Sequence, residues 1–391
     1  MLFRSGHEYG LRAKSKNFDQ IEIAEAIEYA HANNVKVYIT ANIYAHNDDL
    51  ENLDKYFKTL YNLGADAFII SDPGVFMVAK ETIPNAEIHI STQANNTNYK
   101  SAEFWYKQGA KRIILARELA LTEINEIRQK LPPEVAIEAF VHGAMCISYS
   151  GRCLLSSYMT GRDSNKGDCA QPCRWKYHLM EETRHGDFMP VYEDESGTYI
   201  FNSKDLCMIE HLPELIKAGV TSFKIEGRMK SPYYVGTIVK AYKDALDDYF
   251  NNPELYRANC TKYIDEVEKV SHREYTTGFY FGKPKASAQV YKSSSYVRGY
   301  DFIGIVEGNY NPDTELAIIS QRNKFSIGEE IEVMRCNGPS FTMLVDYMVN
   351  MRGEHVFSAP HPEELLQIRF PNSVDKYDML RRKKNIDSHM K

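Results

Sequence analysis

The chain has 391 residues and a mass of 45.0 kDa, with 43% hydrophobic residues, 26% charged residues and a formal net charge of −6. This length predicts two or three domains, and the composition excludes a disordered, collagenous or coiled-coil chain. The negative net charge excludes a generally basic protein that coats nucleic acid, but it allows a local basic patch. The absence of a ~20-residue apolar run and of a signal peptide predicts a soluble, cytoplasmic protein with no membrane partner.

Short apolar runs alternate with amphipathic stretches through residues 1–230. Such runs are typical of parallel strands that are buried on both faces. The predicted strands are 35–41, 67–71, 87–91, 112–116, 137–141 and 222–226. The stretches that predict helices include 21–33, 50–63 and 121–130.

A weak internal repeat supports this alternation. Residues 63–70, 108–115 and 218–225 each start with a glycine suited to ending a helix, and each then enters a predicted strand. Recurrence at this spacing favours an α/β fold of the TIM-like (βα) barrel type. An open, doubly wound sheet is the alternative, which no Gly-x-Gly-x-x-Gly dinucleotide loop supports.

Polar residues follow the ends of the predicted strands. In a barrel these ends line one mouth, where active sites lie, although any strand end also meets a polar loop. The residues are Asn42, Ser71, Asp72, Ser91, Thr92, Gln93, Arg117, Glu118, His142, Glu226 and Arg228.

The pattern changes in the rest of the chain. Residues 176–201 predict an inserted antiparallel β-arm, and residues 283–298 predict a linker. Alternating strands at 303–306, 316–319, 330–333 and 342–345 predict a small all-β domain of barrel type. We therefore expect a barrel domain over 1–295, a β domain over 296–375 and a basic tail over 376–391. That tail is expected to be solvated, with nucleic-acid contact as the alternative.

Four of the seven cysteines follow the predicted strand 137–141 with the spacing C-x6-C-x15-C-x3-C. They are Cys146, Cys153, Cys169 and Cys173. Four thiolates in one loop suit an iron–sulfur cluster. Structural zinc is the second reading, because only the last two cysteines have the usual zinc spacing. Four unrelated buried thiols are the third.

The same segment carries a specific resemblance. The signature Glu138-x-Phe140-x-x-Gly143-Ala144-Met145-Cys146, followed by Gly151-Arg152-Cys153-x-x-Ser156, resembles the collagenase-like peptidases of unassigned type, family U thirty-two. The match extends through residues 202–206 and 224–231. Within this family the chain is most similar to the proteins of prephenate-dependent tRNA wobble-uridine hydroxylation.

The resemblance implies a fold and an activity. It implies a TIM-like barrel, a C-terminal β-barrel domain and a 4Fe–4S cluster on the four cysteines. It also implies tRNA as partner, 5-hydroxyuridine as product and prephenate as a small carboxylate co-substrate. Members usually begin with a further strand and helix, so we expect the barrel to lack its first βα unit. Met1 would then be a mis-assigned start or the boundary of an expressed fragment.

Further site residues are predicted from their positions near the mouth of the predicted barrel. His142, Glu226 and Arg228 are the candidate catalytic residues, and Arg117, Lys204 and Lys230 are candidates for binding an anionic substrate. The alternative is that these cations pair with Glu118, Asp205 and Glu226. Cys207 is a reserve metal ligand, or else packs on a short helix with Leu206 and Ile209.

Two other functions stay open. A collagenase-like protease would need a cysteine nucleophile with a base in reach, and His142 and Cys146 do not complete such a constellation. A noncatalytic scaffold that binds RNA for another enzyme is the remaining alternative.

Overall fold

The computed structural model describes residues 2–4, 18–145, 148–149, 153–162, 164, 169–175, 204–228, 230–282 and 297–384. The chain divides into two compact units. The first comprises Met1–Met229 and Glu274–Ser295, and the second comprises Lys230–Arg273 and Tyr296–Lys391. The expected β-arm at 176–201, most of the expected linker at 283–298 and Cys146 lie outside the described residues.

The first unit is a mixed α/β structure built on one sheet. Its strands are β1 (Leu2–Arg4), β2 (Val37–Ala41), β3 (Ala67–Ile70), β4 (Glu87–Ile90), β5 (Arg112–Ile114), β6 (Ala136–Ala144), β7 (Asp205–Cys207), β8 (Ser222–Ile225) and β9 (Tyr275–Thr276). Its helices are α1 (Gln20–Ala32), α2 (Asn47–Leu50), α3 (Leu53–Asn62), α4 (Pro73–Thr82), α5 (Tyr99–Lys107), α6 (Leu121–Lys130), α7 (Leu155–Thr160) and α8 (Leu212–Lys217). The six predicted strands and three predicted helical stretches are confirmed within a few residues; the stretch 50–63 is divided between α2 and α3.

The strands β1 to β6 pair in chain order and in parallel, and β8 pairs in parallel with β6. This parallel order, with a helix between successive strands, confirms the predicted (βα) alternation. Within the described residues β1 and β8 do not pair, so closure into a barrel stays a prediction.

Cys207 lies on a strand and not on the predicted short helix. The strand β7 runs antiparallel to the end of β6, with Cys207 opposite His142 and Asp205 opposite Ala144. The strand β9 then pairs with β7. Sequence reasoning missed β7 and β9 because strands of two or three residues carry too little periodicity to detect.

The two faces of the sheet differ in polarity. One face carries Ile39, Phe68, Ile88, Ile113 and Ile137, all at most 1% exposed. The opposite face carries polar side chains. Strand register places Tyr38, Glu87, His89, Arg112, Glu138 and Lys224 there. The apolar face explains the strand pattern in the sequence, whereas the polar face requires internal partners.

The second unit combines two helices with antiparallel strands. The helices are α9 (Pro232–Asn251) and α10 (Pro253–Glu268). The strands are β10 (Tyr300–Asn311), β11 (Leu316–Gln321), β12 (Phe325–Ser326), β13 (Glu330–Met334), β14 (Phe341–Leu344), β15 (Met348–Asn350), β16 (Ser358–Ala359), β17 (Leu365–Arg369) and β18 (Met379–Lys383). Seven form one sheet in the order β14-β13-β18-β10-β11-β17-β15, and β12 pairs with β16. The expected all-β module is therefore present.

The expected basic tail is wrong for residues 379–383. These residues form β18, which lies between β13 and β10 in the sheet. Arg381 is fully buried and bonds the carboxylates of Glu266 on α10 and Glu332 on β13, with shortest distances of 2.6 Å to each. This network joins α10 to the sheet. It gives a physical reason why 230–273 groups with the β strands, whereas the sequence placed it with the barrel domain.

None of the helices in the described residues combines the length and the apolarity needed to cross a bilayer. The longest, α9, has 20 residues and a mixed polar and apolar sequence.

Candidate functional site at the carboxyl ends of the parallel strands

Hydrogen bonds link the carboxyl ends of neighbouring strands. The Ser71 hydroxyl after β3 donates to the Asn42 carbonyl after β2 at 3.1 Å. The side-chain amide of Asn42 donates to the Ser91 hydroxyl after β4 at 3.2 Å. Hydrogen bonds therefore connect the predicted polar rim across β2, β3 and β4. Asp72 has a structural task, because its carboxylate accepts from the Gly74 and Val75 amides and caps α4.

Arg117, after β5, reaches over to β6. Its Nη1 donates to the Ala144 carbonyl at 2.8 Å, and its guanidinium carbon lies 3.9 Å from the centre of the Phe140 ring. Glu118 beside it is half-buried, and burial raises the pKa of its carboxyl although Arg117 opposes the rise. Arg117 and Glu118 form no ion pair, so the alternative of pairing with the adjacent carboxylate does not describe Arg117.

The ends of β6 and β8 approach each other closely at Gly143. Gly143 has a φ of +112°, and a Cβ placed there would lie 2.5 Å from the Glu226 carbonyl oxygen. The Glu226 amide donates to the His142 carbonyl at 2.9 Å, and the Glu226 carboxylate accepts from the Arg228 amide at 3.2 Å. Only glycine fits this position, because the left-handed φ and the close approach both exclude a side chain.

His142 is fully buried on β6, and its ring centre lies 5.3 Å from that of Tyr275. The strand pairing places Cys207 opposite it. Glu226 and Arg228 are partly exposed at the end of β8. The structure thus brings His142, Cys207 and Glu226 to one end of the sheet, with Glu226 more accessible than His142.

The two candidate lysines have other neighbours. Lys204 forms an ion pair with Glu274 at 2.9 Å, and not with the adjacent Asp205. Lys230 belongs to the second unit, where its ammonium lies 4.8 Å from the centre of the Tyr234 ring. Arg117 and Lys204 therefore belong to the first unit, and Lys230 is not grouped with them.

The cysteine segment is tied to itself by local hydrogen bonds. The Ala170 amide donates to the Ser156 hydroxyl at 2.9 Å, and the Ser164 hydroxyl donates to the Cys153 carbonyl at 2.6 Å. The Gln171 amide donates to the sulfur of Cys169 at 3.3 Å. Cys153 and Cys173 are partly exposed, Cys169 is exposed, and none of them forms a disulfide.

Thiols that form no disulfide fit the chemistry of a thiolate-bound metal group, and an amide that donates to sulfur is a typical outer contact of such a ligand. Within the described residues, His, Cys, Asp and Glu side chains form no group of three or more that would hold a metal. Because Cys146 is outside those residues, the four-cysteine set stays a prediction.

A buried ionic cluster on the polar face was missed by the sequence reasoning. Glu138 is fully buried and accepts from Arg112 at 3.0 Å, Lys224 at 2.9 Å and Ser222 at 2.9 Å. Burial alone would raise the pKa of Glu138, but Lys224 and Arg112 outweigh it and the pKa is lowered. The position of Glu138 within an apolar run is the one sequence signal of this cluster. Its role follows from the contacts, which anchor β6 to β5 and β8.

Comparison with known proteins adds the family. The model of Peptidase family U32 matches residues 1–290, and that of the Peptidase family U32 C-terminal domain matches residues 298–381. A protein of Bacillus subtilis named tRNA hydroxylation protein P1 is 37% identical over 98% of this chain and 90% of its own. A protein of Escherichia coli named tRNA hydroxylation protein P is 35% identical over 96% of this chain and 90% of its own.

A third relative acts on another RNA according to its name. It is a 23S rRNA 5-hydroxycytidine synthase of Escherichia coli, 34% identical over 76% of this chain and 44% of its own. Both family models together cover nearly all of the chain, including both compact units. The resemblance carried by the Glu138 to Ser156 signature is thereby confirmed: the chain belongs to Peptidase family U32.

Proposed function

We propose that this protein hydroxylates carbon 5 of the wobble uridine of tRNA, with prephenate as a required co-substrate. The observation that carries the proposal is the match to the two tRNA hydroxylation proteins over 96–98% of the chain. The relative named for 5-hydroxycytidine formation adds that hydroxylation of a pyrimidine in RNA recurs among the relatives.

The proposal includes a 4Fe–4S cluster held by Cys146, Cys153, Cys169 and Cys173, with Cys207 as reserve ligand and zinc as the alternative metal. When bound, the cluster would supply electron transfer or activation of an oxygen donor. The Gln171 amide would stabilise the Cys169 thiolate through its bond to the sulfur. The Ser156 and Ser164 hydroxyls would hold the backbone around Cys153 and Ala170.

The proposal also includes closure of the sheet into a TIM-like barrel, since seven parallel strands, β1 to β6 and β8, are present in the described residues. In such a barrel the carboxyl ends of β5, β6 and β8 would form one mouth. Glu226, at the end of β8, is the group proposed to hold or move a proton. His142 is proposed only to position it, because its backbone carbonyl binds the Glu226 amide.

A net charge of −6 provides no global attraction for RNA. A local basic rim is therefore proposed to hold the tRNA, and its binding should weaken as salt rises. Such a dependence would distinguish contact with RNA phosphates from a nonelectrostatic association.

The test is a Cys153→Ala variant with Cys336→Ala as the matched control. Cys336 lies in the second unit, bonded to Asp378 through its backbone amide, far along the chain from the four proposed ligands. Each variant is expressed in a deletion strain, and the wobble nucleoside is measured by mass spectrometry of the tRNA. Iron and zinc are counted in protein purified without oxygen.

Cys153→Ala should abolish 5-hydroxyuridine and lower the iron content, whereas Cys336→Ala should preserve both. Stoichiometric zinc without iron would replace the cluster by a structural zinc site. Full complementation by Cys153→Ala would refute the cluster's role. Gelatin cleavage that disappears in Cys146→Ala would establish the protease instead.

A further inference from the structure

The guanidinium of Arg117 has unused hydrogen-bonding capacity. Its Nη1 bonds the Ala144 carbonyl and one face stacks on Phe140. Its Nε is buried and has no hydrogen-bond partner in the part of the chain that the structure describes. No carboxylate of the described residues lies within ion-pair distance of Arg117. Among the described residues, Nη1 is the one guanidinium nitrogen of Arg117 with a hydrogen-bond acceptor, so Nε and Nη2 keep their N–H donors available there.

Other cations of the first unit at this sheet already have acidic partners. Arg112 and Lys224 share Glu138, and Lys204 bonds Glu274. Arg117 differs from these three because a ring and a backbone carbonyl hold it in place without neutralising its charge. A preoriented and unneutralised guanidinium is the arrangement that binds an oxyanion most strongly.

Unsatisfied amide groups lie on the adjacent loop. The Asn96 carbonyl accepts from the Ala116 amide at 3.1 Å, which places Asn96 beside the residue that precedes Arg117. Asn96 is fully buried, and neither its side-chain oxygen nor its side-chain nitrogen has a partner among the described residues. The Gln93 side-chain oxygen is likewise buried without a partner there. Buried polar atoms without partners cost free energy, so the Asn96 side-chain amide, on the loop beside Ala116, is consistent with a ligand bound near this end of β5.

We propose that Arg117 binds an oxyanion of the co-substrate or substrate with its guanidinium at the carboxyl end of β5. A carboxylate of a small metabolite and a phosphate of RNA both present anionic oxygens that accept hydrogen bonds from a guanidinium. The inference rests on the proposed function for its ligands. The same guanidinium also holds the Ala144 carbonyl, so a bound oxyanion lies next to the carboxyl end of β6.

The test measures ligand binding by the purified full-length protein and does not depend on measuring its catalytic activity. The variants are Arg117→Gln, Arg117→Lys and the control Arg128→Gln. Arg128 also donates to backbone carbonyls, those of Val135 and Leu131, but it lies on α6. One arm titrates prephenate by calorimetry, and the other titrates an anticodon stem-loop RNA by fluorescence anisotropy at several salt concentrations. Thermal melting establishes that each variant is folded.

If the oxyanion is a carboxylate, Arg117→Gln should weaken prephenate binding about ten- to hundredfold. Arg117→Lys should retain part of the affinity, because lysine keeps the charge but not the paired donors. If the oxyanion is an RNA phosphate, RNA binding should weaken instead, and the slope of log K against log salt should fall by roughly 0.7–1.

The proposal is overturned if folded Arg117→Gln and Arg117→Lys bind both probes as well as the Arg128→Gln control does. It is also overturned if the wild-type protein binds neither probe. Normal binding by wild-type protein that forms no 5-hydroxyuridine in cells would refute the proposed function and leave the oxyanion site standing.

Discussion

Arg381 is expected to be the most costly arginine to remove from the second unit. The side chain is fully buried and makes four bonds to two carboxylates: Nη1 and Nη2 to Glu266 at 2.6 and 2.9 Å, and Nη2 and Nε to Glu332 at 2.6 and 3.1 Å. Arg381→Ala leaves both carboxylates, each less than a fifth exposed, with Lys269 as their remaining cation. Breaking a buried pair from one side costs about 3–5 kcal/mol.

We take the lower figure, about 3 kcal/mol, because Lys269 stays within 3.1 Å of both carboxylates. For a unit of this size that loss lowers the Tm by about 6–12 °C. The matched control is Arg382→Ala on the same strand. Its side chain is 26% exposed and pairs with Glu329 and Asp301, so its loss should cost less than about 1 kcal/mol.

The effect should depend on pH with a defined sign. Burial alone would raise the pKa of Glu332, but Arg381 and then Lys269 lower it below its ordinary value. A lowered folded pKa stabilises the protein above the unfolded value and loses that contribution as pH falls. The difference between wild type and Arg381→Ala should therefore be largest near neutral pH and shrink below about pH 4.

The assay is urea denaturation of full-length protein, followed by circular dichroism at several pH values. Equal losses for Arg381→Ala and Arg382→Ala would refute the reasoning, since burial would then not distinguish them. A difference that grows at acidic pH would refute the electrostatic origin.

Two further variants test the first unit. Gly143→Ala should destabilise the protein by several kcal/mol, because the φ of +112° costs about 1–3 kcal/mol and the new Cβ would meet the Glu226 backbone. Gly161→Ala is its control, since Gly161 has a φ of +69° with nothing within 4 Å, and comparable melting temperatures for the two would contradict the role of the close approach. Glu138→Gln should cost about 3–5 kcal/mol by leaving Arg112 and Lys224 without a buried anion. Because the pKa of Glu138 is lowered, wild-type stability should fall as pH drops below about 4, and a urea midpoint for Glu138→Gln equal to wild type at pH 7 would disprove this.

The apolar runs at 67–71 and 137–141 determined their strands directly from the sequence. Each of these strands is buried by the helices that cover the sheet. The strand face that packs under the helices must be apolar. At the start of α9, Ser231 caps the Tyr234 amide and Pro232 is the first helical residue, an arrangement that depends on neighbouring residues alone. The Glu138 to Ser156 signature, which includes the first two cysteines, identified the family because it is a linear pattern.

Tertiary structure determined the roles of residues whose partners lie far away in the sequence. Arg381 belongs to a basic run in the sequence, yet its partners Glu266 and Glu332 lie 115 and 49 residues away, and burial among them replaces solvation. Cys207 has helix-like neighbours, but pairing with His142 makes it a strand residue. Arg117 stands beside Glu118, and only the packing of β5 on β6 shows that its contacts are instead Phe140 and the Ala144 carbonyl. Local patterns specify local conformation, whereas the partner of a charge is set by which strands become neighbours.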